Sequence, residues 1–217
     1  MARSEKATKS KGKESERNTF VELAGIVVVA LLLAFFIQLL VVKTYRIPSP
    51  SMEPTLDIGQ RVLVNRIGTR FGDPSVGDIV VFHPPNGADS GPGQPPICGV
   101  PEEGYGASRP CSTPTQDRSS QTFIKRVVGV GGDRISIRDG HVVRNGKLQQ
   151  EPFIRECQAE SQCDFTATIT VPDGSFYMLG DNRGDSDDSR FWGPVPKKWV
   201  IGKAFATYWP PKRIGSL

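Results

Sequence analysis

Two hydroxyls stand two residues apart, Ser49 and Ser51, in the run Ile47-Pro48-Ser49-Pro50-Ser51-Met52-Glu53-Pro54-Thr55-Leu56. Proline locks its own φ and restricts the residue before it, so Pro48, Pro50 and Pro54 hold the two hydroxyls in nearly fixed relation. A serine is a poor nucleophile until a base takes its proton. Histidine is the usual base, yet His83 abuts a Pro-rich stretch and His141 lies in an Asp-Gly-His turn, and neither setting suggests a triad. Lysine is the next candidate. Lys125 lies within Thr122-Phe123-Ile124-Lys125-Arg126-Val127-Val128-Gly129, where strand alternation puts Phe123, Lys125 and Val127 on one face and Arg126 on the other. Apolar neighbours disfavour a charged amine. A base working near neutral pH needs its pKa to fall from about 10.4 by roughly 2 to 4 pH units. On its own, Lys125 reads more readily as an edge-strand lysine reaching water.

A third cluster runs from Gly180 to Arg190, with Asp181, Asp185, Asp187 and Asp188 interleaved with Arg183, Ser186 and Ser189. A calcium loop fails on spacing: a frame begun at Asp185 has Arg190 where glycine is needed and Pro196 where glutamate is needed. An ion-pair turn through Asp188 and Arg190 fits better. Gly129-Val130-Gly131-Gly132 is no dinucleotide fingerprint, because Arg134 replaces the last glycine. No metal and no cofactor is expected.

These clusters need a scaffold, and most of the chain reads as short strands. β-branched, apolar runs recur at 61–64, 78–82, 123–130, 134–137, 166–171 and 176–179, punctuated by Gly, Pro and Asp. Asn145-Gly146 between strand formers signals a hairpin. The expected fold is mainly β, an antiparallel-sheet catalytic domain over 43–217. A Pro/Gly-rich insertion at about 84–121 interrupts it as an irregular surface loop.

Upstream, Leu23 to Val42 is a twenty-residue run whose one polar side chain is Gln38. That length suits a helix crossing about 30 Å of hydrocarbon. The expectation is one N-terminal transmembrane helix at 20–42 behind a basic tail at 1–19. No Ala-x-Ala tripeptide follows that would mark a cleaved leader. The tail carries six Lys/Arg against three Glu, which keeps the N-terminus cytoplasmic and puts the rest outside the cell membrane, with the lipid bilayer as a partner. Of the 27 basic and 23 acidic residues, 21 and 20 remain for the other segments, so the body is almost neutral and nucleic acid is excluded as a partner. Cys98, Cys111, Cys157 and Cys163 all fall in the outer part, an even number suited to an oxidising compartment. Four cysteines allow three pairings. Cys98–Cys111 and Cys157–Cys163 are favoured because each closes a local loop, with reduced thiols as the alternative.

Taken in order, the motifs carry a resemblance. Ser49-x-Ser51-Met52-x-Pro54-Thr55-Leu56 after an apolar run, then Val76-Gly77-Asp78-Ile79-Val80-Val81-Phe82, then Phe123 to Gly129, then Gly180-Asp181-Asn182-Arg183 and Ser186-x-Asp188-Ser189-Arg190-x-Trp192-Gly193 resemble bacterial type I signal (leader) peptidase. The likeness covers most of residues 20–209. It implies a membrane serine protease with a Ser/Lys dyad, Ser51 as nucleophile and Lys125 as general base. The Ser49 hydroxyl and the Ser51 backbone N–H would form the oxyanion hole, since Pro50 has no N–H to offer. Ser186 would orient the lysine amine, and Asp188 and Arg190 would hold their region together. Ile47, Pro48, Met52, Leu56, Phe123 and Ile124 would line shallow pockets for small side chains. The implied substrates are signal peptides of exported preproteins, cut after Ala-x-Ala-like sites, with translocation machinery open as a further partner. Three features depart from the family pattern: a single span, Gly184-Asp185 where Asp-Asn is common, and the insertion. Cys157 and Cys163 resemble a cysteine pair of some members.

Penicillin-binding enzymes would need Ser-x-x-Lys, and the match at Ser10 to Lys13 lies in the basic tail. A self-cleaving repressor would need a DNA-binding helical domain ahead of the serine. A non-catalytic membrane-anchored binding module is the reading left if Lys125 is solvated.

Overall fold

The structure is a computed structural model and describes residues 21–36, 41–88, 95–157 and 163–217. The basic tail, part of the apolar run and residues 89–94 of the insertion lie outside the described residues. The chain divides into two compact units, 1–42 and 43–217.

In the first unit, residues 21–36 form a helix, α1, with its large apolar side chains exposed. Sixteen residues rise about 24 Å at 1.5 Å each. Among the described residues, no helix is long and apolar enough to cross a membrane. Val42, the last residue of the expected span, is the first residue of strand β1 (Val42–Arg46). The β-branched Val42 suits extended backbone, and pairing with β2 satisfies the polar groups that a helix would otherwise have paired.

The second unit is mainly β, as expected. After β1 come β2 (Arg61–Asn65), β3 (Ile79–Phe82), β4 (Phe123–Val130), β5 (Arg134–Arg138), β6 (His141–Arg144), β7 (Lys147–Leu148) and β8 (Phe165–Thr170). β9 (Ser175–Leu179), β10 (Val195–Pro196), β11 (Val200–Trp209) and β12 (Gly215–Ser216) follow. One sheet has the order β1-β2-β11-β3-β4-β9-β10, with β12 added to β11, and the second has the order β7-β6-β5-β8. The ladders of β3, β4, β9 and β11 are antiparallel. Asn145 and Gly146, at φ 53° and 80°, make the expected β6–β7 turn, whose geometry demands positive φ at both central residues. The described part of the insertion contains no strand and is closed by a disulfide between Cys98 and Cys111, Cα atoms 5.7 Å apart. A second bridge joins Cys157 to Cys163.

β3 explains why its sequence is apolar without alternation. All four residues are buried, but successive side chains leave opposite faces of the sheet. Ile79 and Val81 enter a core with Ile47, Met52, Leu56, Val62, Val64 and Ile124. Val80 and Phe82 enter a larger core with Val127, Tyr177, Leu179 and Trp192, completed by Ile135, Ile137 and Phe165 from the second sheet. The central sheet is therefore covered on both sides. A polar side chain on β4 points toward one of two largely apolar layers.

Candidate active site

The serine run forms a 3-10 turn at Pro50–Met52, entered from an extended Ser49. Ser51 is buried, and the Ser49 hydroxyl donates to its Oγ at 3.3 Å. The main-chain carbonyls of the turn are held from across the molecule. Asn182 donates its N–H to the Ser51 carbonyl at 3.1 Å and its Nδ2 to the Pro50 carbonyl at 3.2 Å. The acidic segment after β9 therefore sets the position of the serine turn, although 130 residues separate them in sequence.

A second tie lies one residue away. Asp181 is fully buried and accepts a forked pair of bonds from Arg126, Nε to Oδ1 at 2.9 Å and Nη2 to Oδ2 at 2.6 Å. Thr55 adds its hydroxyl to Oδ2 at 2.5 Å. Bidentate, charge-assisted geometry of this kind is both strong and directional. Thr55, Arg126, Asp181 and Asn182 together lock the serine turn, β4 and the acidic segment. Sequence reasoning assigned none of them a role, although the alternation that turns Lys125 one way necessarily turns Arg126 toward the other face.

Lys125 lies opposite Val80 in the β3–β4 ladder and is only 3% exposed. Its Nζ sits 5.8 Å from the Phe123 ring centre and forms no ion pair among the described residues. Burial lowers its pKa from 10.5 to about 8. The negative charges of Asp188 and Asp187 oppose the fall, and Arg190 reinforces it. The lysine is thus desolvated, and the reading of it as an edge residue reaching water is set aside.

Gly180 brings the acidic segment against the serine turn. A Cβ there would collide with the Ser186 Oγ and the Ser51 carbonyl, so no larger residue fits. Ser186 is buried, and its Oγ has no hydrogen-bond partner among the described residues. Asp188 caps the helix α3 (Ser189–Trp192; α2 is Gly68–Phe71) by accepting the Arg190 N–H. Its carboxylate also takes the Gly180 N–H at 3.1 Å and the Arg190 guanidinium at 2.7 and 2.9 Å. That guanidinium in turn donates to the Arg183 and Ser186 carbonyls. Arg190 and the Gly180 N–H hold the Asp188 carboxyl below its usual range despite its burial. Asp187 moves the other way, raised first by burial and then by the neighbouring Asp188 charge.

These residues surround a cleft of about 890 Å³. Ser49, Ser51, Lys125 and Ser186 all line it, with Ile47, Pro48, Phe123 and Ile124 among its apolar walls. Met52 and Leu56 are placed differently from the expectation. Both are fully buried in the smaller core and are not among the cleft-lining residues, because the turn that presents Ser51 points Met52 inward. Neither histidine lines the cleft. His83 Nδ1 lies 2.7 Å from the Gln121 carbonyl and His141 lies beside Glu151. Among the described residues no group of three His, Cys, Asp or Glu side chains could hold a metal ion.

The chain has relatives of known family. Residues 20–209 match the family described as signal peptidase, peptidase S26. The chain belongs to the signal peptidase family. It is 35% identical over 209 residues to a probable signal peptidase I-2 of Synechocystis sp., covering 96% of this chain and 82% of that one. Similarity to signal peptidase I of Leptolyngbya laminosa is 35% over 189 residues, 87% of this chain and 79% of the relative. Signal peptidase I of Mycobacterium tuberculosis is 30% identical over 239 aligned positions, covering 94% and 77% of the two chains. Membership makes this protein a serine peptidase, a hydrolase of peptide bonds.

Proposed function

We propose that this signal peptidase family member removes N-terminal signal peptides from exported preproteins by a Ser51/Lys125 dyad. The observation that carries the reading is a buried lysine, pKa about 8, lining the same cleft as a serine held in a proline-fixed turn. The neutral Lys125 amine takes the Ser51 hydroxyl proton as Oγ attacks the carbonyl carbon of the scissile bond. The resulting oxyanion accepts from the Ser49 hydroxyl and the Ser51 N–H, donors preset where the charge develops. Collapse breaks the C–N bond, and the ammonium returns its proton to the leaving amine. Water then attacks the acyl ester, giving its proton to Lys125 as base, and Ser51 is regenerated.

The Ser186 hydroxyl, buried with no partner among the described residues, is suited to accept from the lysine amine and aim its lone pair. Asp188 and Arg190 hold the segment that carries it. Ile47, Pro48, Phe123 and Ile124 form walls of the pockets, and a rigid apolar wall admits alanine-sized side chains while excluding larger ones sterically. The apolar run that begins in α1 anchors the enzyme in the cell membrane, N-terminus in the cytoplasm, where an emerging signal peptide reaches the cleft. Translocation machinery would be a partner at the same place.

The test incubates the full chain in detergent micelles with a preprotein and maps the cut bond. Cleavage after a small-x-small sequence is expected, with Ser51→Ala and Lys125→Ala each inactive and still folded. Full cleavage by either variant refutes the dyad.

A further inference from the structure

The described part of the insertion that interrupts the sheet between β3 and β4 does not stand away from the body. Cys111 donates its N–H to the Arg190 carbonyl at 2.9 Å, tying the insertion to α3. A Cβ on Gly104 would come within 2.6 Å of the Phe191 carbonyl, and one on Gly193 within 3.1 Å of the Cys111 Sγ. Both glycines also have φ of 87°, conformations that side chains resist. Inside the loop, Glu103 accepts from the Ser112 N–H and hydroxyl at 2.8 and 2.5 Å and pairs with Arg109 at 2.9 Å. The Cys98–Cys111 bridge closes the segment.

At the midpoint of that bridged segment, between the two positive-φ glycines Gly104 and Gly106, stands Tyr105. One side of its ring packs on Phe191, centroids 5.8 Å apart, while the residue keeps 53% of its surface exposed. It lines the cleft that holds Ser51 and Lys125, together with Pro95 and Pro96 from the same insertion. An aromatic ring that is backed by a buried phenylalanine and anchored by a disulfide loop, yet left bare toward the cleft, costs free energy to keep in water. That cost is returned when an apolar surface covers it.

We infer that the insertion builds a substrate-reading wall of the cleft, in which Tyr105 receives an apolar or aromatic side chain of the preprotein outside the two small residues of the cleavage site. The occupant is the polypeptide substrate because the wall is continuous with the cleft where the peptide bond would be cut. The inference rests on the peptidase reading, and the experiment separates the two. The full chain in detergent micelles is given synthetic peptides with an Ala-x-Ala site, in which Phe or Ser is placed at each other position in turn. The readout is the ratio of kcat/KM for the Phe and Ser peptides.

At one position the wild type should favour Phe by about five-fold, the scale of a single aromatic contact. Tyr105→Ala should bring that ratio to about one, and Tyr105→Phe should preserve it. The Cys98→Ser/Cys111→Ser double variant should lose most of it by releasing the loop. Wild-type failure to cut any peptide refutes the peptidase reading itself. Cleavage with unchanged Phe/Ser ratios in Tyr105→Ala refutes the wall, as does a wild type with no preference at any position. Loss of preference in Tyr105→Phe refutes recognition by the ring face. Full preference in the cysteine variant refutes the anchoring role of the bridge.

Discussion

Replacing Lys125 with methionine should abolish cleavage and at the same time stabilise the protein. The lysine sits 3% exposed among apolar neighbours, and its pKa falls from 10.5 when free to about 8 in the fold. Each pH unit between the two corresponds to 1.36 kcal/mol, so holding the ammonium buried costs about 3 kcal/mol at pH 7. Methionine keeps a similar length and volume and carries no charge. Over the roughly 175 residues of the sheet domain, that cost should raise Tm by roughly 10 °C at pH 7. The pH dependence tests the cause. Between pH 8 and 10.5 the unfolded chain holds a proton on this lysine that the folded chain has released, so wild-type stability rises with pH across that window. The advantage of the variant should therefore shrink from pH 8 and be nearly gone by pH 10.5. Thermal melts of both proteins in the same detergent at pH 7, 9 and 10.5, followed by circular dichroism, read the difference directly. A variant no more stable at pH 7 would refute the reasoning. So would an advantage of constant size, which would come from packing and not from ionisation.

The same pKa predicts a rate profile. The base form of Lys125 is about one tenth populated at pH 7 and half populated at about pH 8, so kcat/KM should rise with pH and level off above it. A limb that continues rising past pH 10 would mean a solvated lysine. Gly180→Ala should be strongly destabilising and inactive, because its Cβ meets the Ser186 Oγ and the Ser51 carbonyl; a melt and an activity close to wild type would show that the serine turn and the acidic segment are not in contact.

Several elements were legible in the chain because local chemistry dictates them. The Asn145-Gly146 turn needs two positive φ values, and the strands of β2 to β5, β8 and β9 announce themselves through β-branched runs between breakers. β11 is the longest strand among the described residues, yet its sequence does not announce it: Gly202 and Lys203 interrupt its apolar pattern, and its burial alternates irregularly through two bulges against β2. Its Gly202 is required by the close approach of the Asn65 carbonyl, a neighbour remote in sequence. The apolar run at 23–42 reads as one helix because hydropathy does not separate the end of a helix from a strand whose first residue, Val42, continues the apolar run. Pairing with β2 puts Val42 in the sheet.

For the candidate site, short segments offer a proline-fixed Ser51, a lysine among apolar neighbours and an Asp188–Arg190 pair, while the choice of Lys125 as partner and the roles of Ser49 and Ser186 come only from the resemblance that the motifs carry in order. Whether that lysine is a base or a surface cation depends on what covers it, and this is a tertiary quantity. Val80 lies across the ladder, a core packs on each face of the sheet, and the acidic segment lies close enough to act on its charge. The bonds from Asn182 to the serine turn and from Arg126 to Asp181 span 132 and 55 residues, and no local pattern encodes them. The insertion illustrates the same division. Its prolines, glycines and cysteines announce a bridged irregular loop, but the placement of Tyr105 in the wall of the cleft that holds the serine and the lysine comes with its packing on Phe191, a contact made only when the chain is folded.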